Sequence, residues 1–169
     1  TRLLVLEGDG WKILDDASKS AFETLLNNLS DAGVEILRRA DNPACEDLES
    51  AVEGAGGICS AITSWENRWA QRNLVNESPN GVSERAQAIL AKAEAMTPDD
   101  YRAALVERAQ AQIHHSSVAP LADATISLSC PGPAPLQPRD EPGKPLAPRP
   151  TGDAICNYPS SMLFAPAVT

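Results

Sequence analysis

The first 37 residues contain the pattern that most restricts the fold of this chain. Residues 2–7 include the apolar run Leu-Leu-Val-Leu, which predicts a short buried strand, and residues 34–37 predict a second one. Between them, Asp15 or Asp16 begins a helix and Gly33 ends it. The apolar face of that helix recurs at helical spacing, at Phe22, Leu25, Leu26 and Leu29. Because a βαβ unit is right-handed and parallel, we predict an α/β fold with helices packed on a mixed or mainly parallel sheet.

The middle of the chain is predicted to be helical. Asn42-Pro43 has the pattern of an N-cap followed by a proline in the first turn, and apolar residues recur at helical spacing over 48–69. Glycines at 54, 56 and 57 interrupt this run, which predicts either two helices or one bent helix. Further helices are predicted at 83–96 and from Thr97 to about residue 117, and a third strand at 124–129.

Prolines divide the C-terminal part of the chain. Eight of the 14 prolines lie in residues 131–150, where they exclude a regular helix or a central strand. We therefore predict an α/β segment with several helices at 1–130, an extended proline-rich loop at 131–150, and the start of a further, truncated sheet segment at 151–169.

Charge and cysteine content exclude several classes of function. Acidic residues outnumber basic residues 23 to 14, so we expect no nucleic acid and no membrane as a partner. Cysteines stand at 45, 59, 130 and 156 without a CxxC pair, which argues against a zinc site and against a disulfide framework. We expect reduced thiols, a cytoplasmic protein, and neither a metal nor a cofactor.

Two local motifs favour structural over functional interpretations. The glycine-rich run at 54–60 lacks the Lys of a phosphate loop and the G-x-S-x-G spacing of a nucleophile elbow, which favours close helix packing. His114 and His115 point about 100° apart on a helix, which disfavours a shared metal ion. A surface or supporting role is favoured for both.

An aromatic and basic motif has two interpretations. Trp65 and Trp69 are four residues apart, and so are Arg68 and Arg72. This pattern fits either a patch for a partner or an apolar core stripe beside a solvated stripe. The excess of acidic residues elsewhere favours the core stripe.

The sequence shows no catalytic set. Serine pairs stand at 116–117 and 160–161, but a serine hydrolase also needs a base within hydrogen-bond reach and an oxyanion hole. Nothing in the sequence pairs a lysine with either serine pair. We therefore predict no catalytic residue in this chain.

The C-terminal part nevertheless carries a family resemblance. Residues 123–135 read Asp-Ala-Thr-Ile-Ser-Leu-Ser-Cys-Pro-Gly-Pro-Ala-Pro, residues 151–169 run from Thr-Gly-Asp through Asn157 to Ala-Pro-Ala-Val-Thr, and residues 32–36 read Ala-Gly-Val-Glu-Ile. In this order, these pieces resemble the C-terminal part of amidase signature enzymes. The resemblance implies a place in a larger amidase-type α/β/α sandwich and a parent enzyme that cleaves carbon–nitrogen amide bonds.

The resemblance also implies what this chain lacks and what it contributes. In the family, a Lys, a bridging Ser and a nucleophilic Ser lie N-terminal to the region that matches this chain, so we expect a fragment that is inactive alone. A small-molecule amide is the substrate expected for the parent enzyme. By position, we place Cys130, Asp153, Cys156 and Asn157 near the substrate pocket.

The first and last residues of the sequence favour one interpretation of its origin. The chain begins at Thr1 and stops within an apolar run, which favours a fragment over a complete small protein. We expect such a fragment to form homo-oligomers or to pair with the missing catalytic half. The alternative function is a non-catalytic binding or subunit module of a larger assembly.

Overall fold

The structure, a computed structural model, describes residues 1–133 and 152–168. The strands in this part of the chain are β1 (Arg2–Val5), β2 (Glu35–Leu37) and β3 (Ala124–Ile126). The helices are α1 (Gly8–Lys12), α2 (Asp16–Asp31), α3 (Pro43–Ala51), α4 (Ala55–Glu77), α5 (Glu84–Ala95), α6 (Pro98–Val118) and α7 (Tyr158–Leu163). Single 3-10 turns occur at Arg39–Asp41 and Pro79–Gly81.

The three strands form a parallel sheet in the order β2-β1-β3. Leu3 of the central strand pairs with Ile36 on one side and with Ala124 on the other. Both connections run through helices, as parallel pairing requires. The predicted α/β fold, with helices packed on a mainly parallel sheet, is therefore confirmed.

The sheet is covered on both faces, because successive side chains of a strand point to opposite sides. Leu4 and Leu6 lie in the larger core, which includes Leu48 of α3, Ala111 of α6 and Met162 of α7. On the opposite face, Val5 packs with Phe22 and Leu26 of α2, and Trp11 and Ile126 border this cluster. This two-sided burial explains why residues 3–6 are all apolar rather than alternating.

Side-chain caps begin four of the helices at the predicted places. Asp15 accepts a hydrogen bond from the Ser18 N–H at 2.6 Å, and Asn42 accepts one from the Ala44 N–H at 2.9 Å. Ser83 caps α5 in the same way, and Thr97 forms a reciprocal capping box with Asp100. Each cap satisfies a backbone donor that the first helical turn leaves free.

Glycines end or divide helices where the chain must adopt a positive φ. Gly33 follows α2 with φ +87°, as predicted, and Gly54 separates α3 from α4 with φ +71°. The interrupted run at 48–69 is therefore two helices. Gly56 approaches the Tyr158 ring so closely that a Cβ would stand 2.9 Å from it, which confirms close packing at this one glycine of the run, whereas a Cβ at Gly54 or Gly57 would meet nothing within 4 Å.

Two helices were not predicted. Residues 8–10, expected only to end the first strand, begin α1. The expected sheet segment at 151–169 is not seen in residues 152–168, where α7 forms and no strand is present. Met162 and Leu163 of α7 join the core around Leu4, so this segment packs on the same body as the N-terminal strands. Apart from residues 131–133, the predicted proline-rich loop lies outside the described residues.

A helix that crosses a bilayer must be both long and predominantly apolar. Within residues 1–133 and 152–168, no helix is both long enough and apolar enough to cross a membrane.

Candidate functional site

A cavity of about 220 Å³ opens at the carboxyl ends of β1 and β3. The two strands are still joined there, because the Leu6 N–H donates to the Ile126 carbonyl at 3.0 Å. The lining consists of Leu6, His115, Thr125, Ile126, Ser127, Leu128, Ser129, Cys156, Asn157, Ser160, Leu163, Ala165, Pro166, Ala167 and Val168.

The topology of the sheet explains this position. From β1 the chain crosses to β2 on one side, and later it returns to β3 on the other side. The cavity opens at the carboxyl edge between residues that follow β1 and residues that follow β3. Open α/β sheets bind ligands at such a topological switch point.

Three glycines allow residues 156–159 to pack closely against the rest of the fold. A Cβ on Gly8 would stand 3.2 Å from Pro159, and one on Gly56 would stand 2.9 Å from the Tyr158 ring. A Cβ on Gly10 would stand 3.3 Å from the Cys156 Cα and would overlap its sulfur. Residues 156–159 can therefore pack closely against α1 and α4 only because these three positions carry no side chain.

The four predicted pocket residues lie around this cavity to different extents. Cys156 and Asn157 line it. Cys130 follows the lining residue Ser129 but is itself exposed, and Asp153 is exposed with its carboxylate accepting the Ile155 N–H at 3.0 Å. The structure thus brings two of the four into the wall and leaves two beside it.

Burial distinguishes the cysteines near the cavity. Burial raises the pKa of the Cys156 thiol, and the charges of Cys130 and Asp153 raise it further. Cys59 donates to the Tyr158 carbonyl with a sulfur–oxygen distance of 3.7 Å, and burial raises the pKa of its thiol as well. Because the thiolate is the reactive form, both thiols should be poor nucleophiles at neutral pH.

Thiol labelling should therefore show one fast and three slow cysteines. Cys130 is exposed, whereas Cys45 and Cys156 are 1% and 8% exposed and Cys59 is half-buried. With an aromatic disulfide reagent at pH 7.5, we expect a single rapid thiol, with the others reacting only in denaturant. Cys130→Ser should abolish the rapid phase. A rapid phase that survives this substitution would show that a buried cysteine is accessible.

Glu49 is a buried carboxylate that the sequence analysis did not single out. Its side chain is 3% exposed, and its carboxylate accepts the Glu7 N–H at 2.6 Å and the Gly8 N–H at 2.9 Å. A buried carboxylate at a helix N-terminus satisfies free backbone donors. Glu49 therefore fixes the turn from β1 into α1, next to the cavity residue Leu6. No local pattern marks it, because its partners lie about forty residues earlier in the chain.

The nearby Glu7 carboxyl should make stability depend on pH. Burial, followed by repulsion from Glu49, raises the pKa of Glu7 above its ordinary 4.5. The folded chain thus holds this proton more tightly than the unfolded chain, and stability falls as the pH rises through the raised pKa. Glu7→Gln should raise the unfolding free energy at pH 7 and change it little at about pH 4. Urea denaturation at both pH values measures this.

Asp100 provides the opposite control. The backbone N–H and the hydroxyl of Thr97 lower the pKa of Asp100. Its contribution to the stability of the folded chain is therefore present above the ordinary pKa and is lost as the pH falls through the lowered pKa. Asp100→Asn should therefore destabilise the chain at pH 7 and not at acidic pH. If the effects of the two substitutions on the unfolding free energy changed with pH in the same direction, both pKa assignments would be contradicted.

The histidines and serines do not form a catalytic pair. His115 lines the cavity, but the Ser160 hydroxyl donates to the Asn157 carbonyl at 3.0 Å. Ser117 donates to the His114 carbonyl at 2.7 Å, and Ser116 donates to the Gln112 carbonyl at 2.9 Å. Each of these hydroxyls is thus engaged by the backbone rather than by a base. Among the described residues, no cluster of three His, Cys, Asp or Glu side chains is arranged to hold a metal ion.

The aromatic and basic motif differs from the core stripe that the sequence favoured. Trp69 is 58% exposed, and the Arg72 guanidinium lies 4.6 Å from its ring centroid. Trp65 stacks on Tyr101 at 5.7 Å, and Arg68 covers its ring at 3.5 Å. Cations therefore cover the two tryptophans, and the core-stripe prediction was wrong for Trp69. This surface lies outside the cavity lining.

Comparison with known proteins relates this fold to that of an amidase. No protein-family model and no curated protein matches the chain. A solved structure, the crystal structure of an amidase, superposes with a TM-score of 0.68 at 21% sequence identity. The match covers 96% of this chain and 37% of the amidase chain. The chain therefore has the fold of about a third of an amidase, and at this identity the match describes the fold alone.

Proposed function

We propose that this chain forms the substrate-pocket wall of an amidase-type hydrolase that cleaves carbon–nitrogen amide bonds. The observation that carries the proposal is the fold shared with an amidase over 96% of this chain. The cavity at the carboxyl edge of the sheet supports it, because α/β enzymes bind ligands at this place. The resemblance of residues 123–135 and 151–169 to amidase signature enzymes points to the same class.

The catalytic groups of such an enzyme would come from residues outside this chain. Amide hydrolysis in that family needs an activated Ser, a bridging Ser and a Lys, whereas the hydroxyls of Ser116, Ser117 and Ser160 donate to backbone carbonyls. The matched amidase chain is much longer than this one, with only 37% of it covered. In this proposal, Cys156 and Asn157 contact the substrate, Cys130 and Asp153 border the pocket, and the triad joins from a catalytic half with which the chain pairs.

The native reading frame tests this proposal. It should encode a glycine- and serine-rich stretch and a Lys upstream of Thr1, and the full product should release ammonia from primary amides. Exchange of the upstream nucleophilic Ser for Ala should abolish turnover. A frame that starts immediately before Thr1, with no such stretch, would overturn the proposal.

The isolated chain provides a second measurement. Ammonia release from primary amides should not exceed the buffer background, because this proposal places the triad outside the chain. The double variant Ser160→Ala/Ser161→Ala should behave identically. Turnover that persists through repurification and disappears in the double variant would place a catalytic serine within this chain.

A non-catalytic binding or subunit module is the second candidate function. It is favoured by one observation, a cavity whose described lining contains hydroxyl, amide and thiol groups but no base paired with a nucleophile. The reading frame distinguishes the two candidates, since only the amidase proposal requires the upstream stretch.

A further inference from the structure

Two cysteines stand beside the cavity on different segments of the chain. Cys156, which precedes α7, lines the cavity, and Cys130 directly follows Ser129, a lining residue on the segment after β3. Consecutive Cα atoms are about 3.8 Å apart, so Cys130 lies one residue from the wall that Cys156 helps to form. The segment after β3 and the segment before α7 therefore bring one thiol each to the same cavity of about 220 Å³.

Contacts with α1 and with the start of α2 hold these two segments on the same side of the fold. A Cβ on Gly10 of α1 would stand 3.3 Å from the Cys156 Cα. A Cβ on Gly132 would likewise stand 3.3 Å from a carboxylate oxygen of Asp15, the N-cap of α2. Gly10 and Asp15 are five positions apart in the sequence, so the two cysteine segments pack on neighbouring parts of one short stretch.

Electrostatic effects indicate that the two sulfurs lie near each other. Burial is the largest cause that raises the pKa of the Cys156 thiol, and the charge of Cys130 is the second. The effect of Cys130 exceeds that of the Asp153 carboxylate, although Asp153 is only three positions from Cys156. Because the interaction of two charges weakens with distance, Cys130 is close to Cys156 in space although the two are 26 positions apart in the sequence.

Exposure gives the two thiols different roles. Cys130 is exposed, whereas Cys156 is 8% exposed. A dissolved reagent therefore reaches Cys130 first, and Cys156 reacts with the group that Cys130 then carries. This is the order of an attacking and a resolving cysteine in thiol–disulfide exchange. The other two cysteines differ, because Cys45 is 1% exposed within the larger core and the Cys59 sulfur donates to the Tyr158 carbonyl.

We propose that Cys130 and Cys156 form a reversible disulfide beside the cavity when the chain meets a low-molecular-weight disulfide such as oxidised glutathione. The Cys130 thiolate attacks one sulfur of that disulfide, so a mixed disulfide forms and one glutathione thiolate leaves. The Cys156 thiol then loses its proton to water, its sulfur attacks the Cys130 sulfur, and the second glutathione thiolate leaves. The two protein thiols are thereby oxidised by two electrons, and the glutathione disulfide is reduced to two thiols that take up the two protons.

This bond would make the cavity wall depend on the oxidation state of the chain. It ties the segment after β3 to the segment before α7, so it fixes the distance between two parts of the wall. It also closes a loop in the unfolded chain, which lowers the entropy of the unfolded state. The inference goes beyond the proposed function and does not depend on it, because only the two thiols and their positions enter it.

The test incubates the full chain at low concentration with a modest excess of oxidised glutathione at pH 8.5, followed by acid quenching and mass spectrometry without reduction. We expect the chain to lose two hydrogens and its free thiols to fall from four to two. Trypsin cleaves after Arg139, so a disulfide between the tryptic peptides of Cys130 and Cys156 identifies the pair. A chain that keeps all four thiols, retains glutathione on Cys130, or joins Cys130 to another cysteine or a second chain would overturn the proposal.

Matched variants separate the two steps. Cys156→Ser should stop at the glutathione adduct on Cys130, whereas Cys130→Ser should keep its three remaining thiols free. Cys59→Ser is the control, and it should form the disulfide as the parent chain does. Cys156→Ala replaces the first variant if circular dichroism shows that Cys156→Ser does not fold. A disulfide in Cys130→Ser, or its absence in the folded control, would contradict the assignment.

The rate of the second step provides a further measurement. The attacking species is the thiolate, and the pKa of Cys156 is raised above its ordinary 9.0. Conversion of the adduct into the disulfide should therefore accelerate about tenfold from pH 7.5 to pH 8.5. Within the time of rapid thiol labelling at pH 7.5, Cys130 alone reacts. A conversion rate that does not change with pH would show that Cys156 is not the resolving thiol and would contradict the proposal.

Discussion

Glu49→Ala should lower the free energy of unfolding by about 3 kcal/mol, because it leaves two buried backbone donors without an acceptor. The Glu49 carboxylate accepts the N–H groups of Glu7 and Gly8, and its side chain is almost completely buried. Each unsatisfied donor costs about 1–3 kcal/mol. Removal of the side chain also leaves a void at the start of α1, which packing theory predicts to be unfavourable.

Urea denaturation monitored by circular dichroism measures this effect, and Glu53→Ala is the matched control. Glu53 lies on the same side of the fold but is exposed, and its carboxylate is 3.4 Å from the Lys12 ammonium. Exposed ion pairs contribute about 0–1 kcal/mol, so the control should unfold almost like the parent chain. Equal losses in the two variants would show that the Glu49 hydrogen bonds do not stabilise the turn.

Gly10→Ala should lower the free energy of unfolding by about 2 kcal/mol, because the added methyl group would conflict sterically with Cys156. The added Cβ would overlap the Cys156 sulfur and stand 3.3 Å from the Cys156 Cα. Because that Cα belongs to the backbone, residues 155–157 must move away from α1. The substitution should therefore also displace part of the cavity wall, since Cys156 and Asn157 line the cavity.

Gly57→Ala is the control for helix propensity. Gly57 lies in α4, and a Cβ there would meet no atom within 4 Å. Alanine should stabilise this position by about 0.5–1 kcal/mol, opposite in sign to its effect at Gly10. Thermal denaturation should separate the two variants by several degrees.

A double variant tests the cause of the conflict. In Gly10→Ala/Cys156→Ala the sulfur is absent, so we expect at least half of the loss at Gly10 to be recovered. Additive losses would mean that the sulfur is not the obstacle and that Gly10 is required for another reason.

The elements predicted from the sequence are those that depend on nearby residues. Asp15, Asn42, Ser83 and Thr97 cap their helices through bonds to residues two or three positions later. The apolar run that forms β1 and the glycine that adopts a positive φ at position 33 are likewise visible in the residue types. Local hydrogen bonds and steric limits act within one turn, so composition and spacing suffice to predict them.

The candidate site was predicted only in part. Cys156 and Asn157 line the cavity, and their predicted role in substrate binding stays a prediction, whereas His115 and the serines at 127, 129 and 160 were not placed there. Their spacing carries no signal, because three separate segments supply them. Only the sheet order, which places the residues after β3 beside those after β1, brings these groups together.

The sequence by itself determined the α/β class, the parallel βαβ start and the starts of the four helices that have side-chain caps, since these follow from periodicity and caps. Tertiary structure alone decided that Glu49 is buried, that Trp69 is exposed and that residues 158–163 form a helix rather than a strand. The first and the third of these outcomes depend on contacts between distant segments, because the Glu49 carboxylate accepts N–H groups at the start of α1 and α7 packs on the core around Leu4. Burial in such contacts outweighs local preference because propensities differ by less than about 1 kcal/mol per residue, whereas a buried side chain contributes about 1.5–3 kcal/mol.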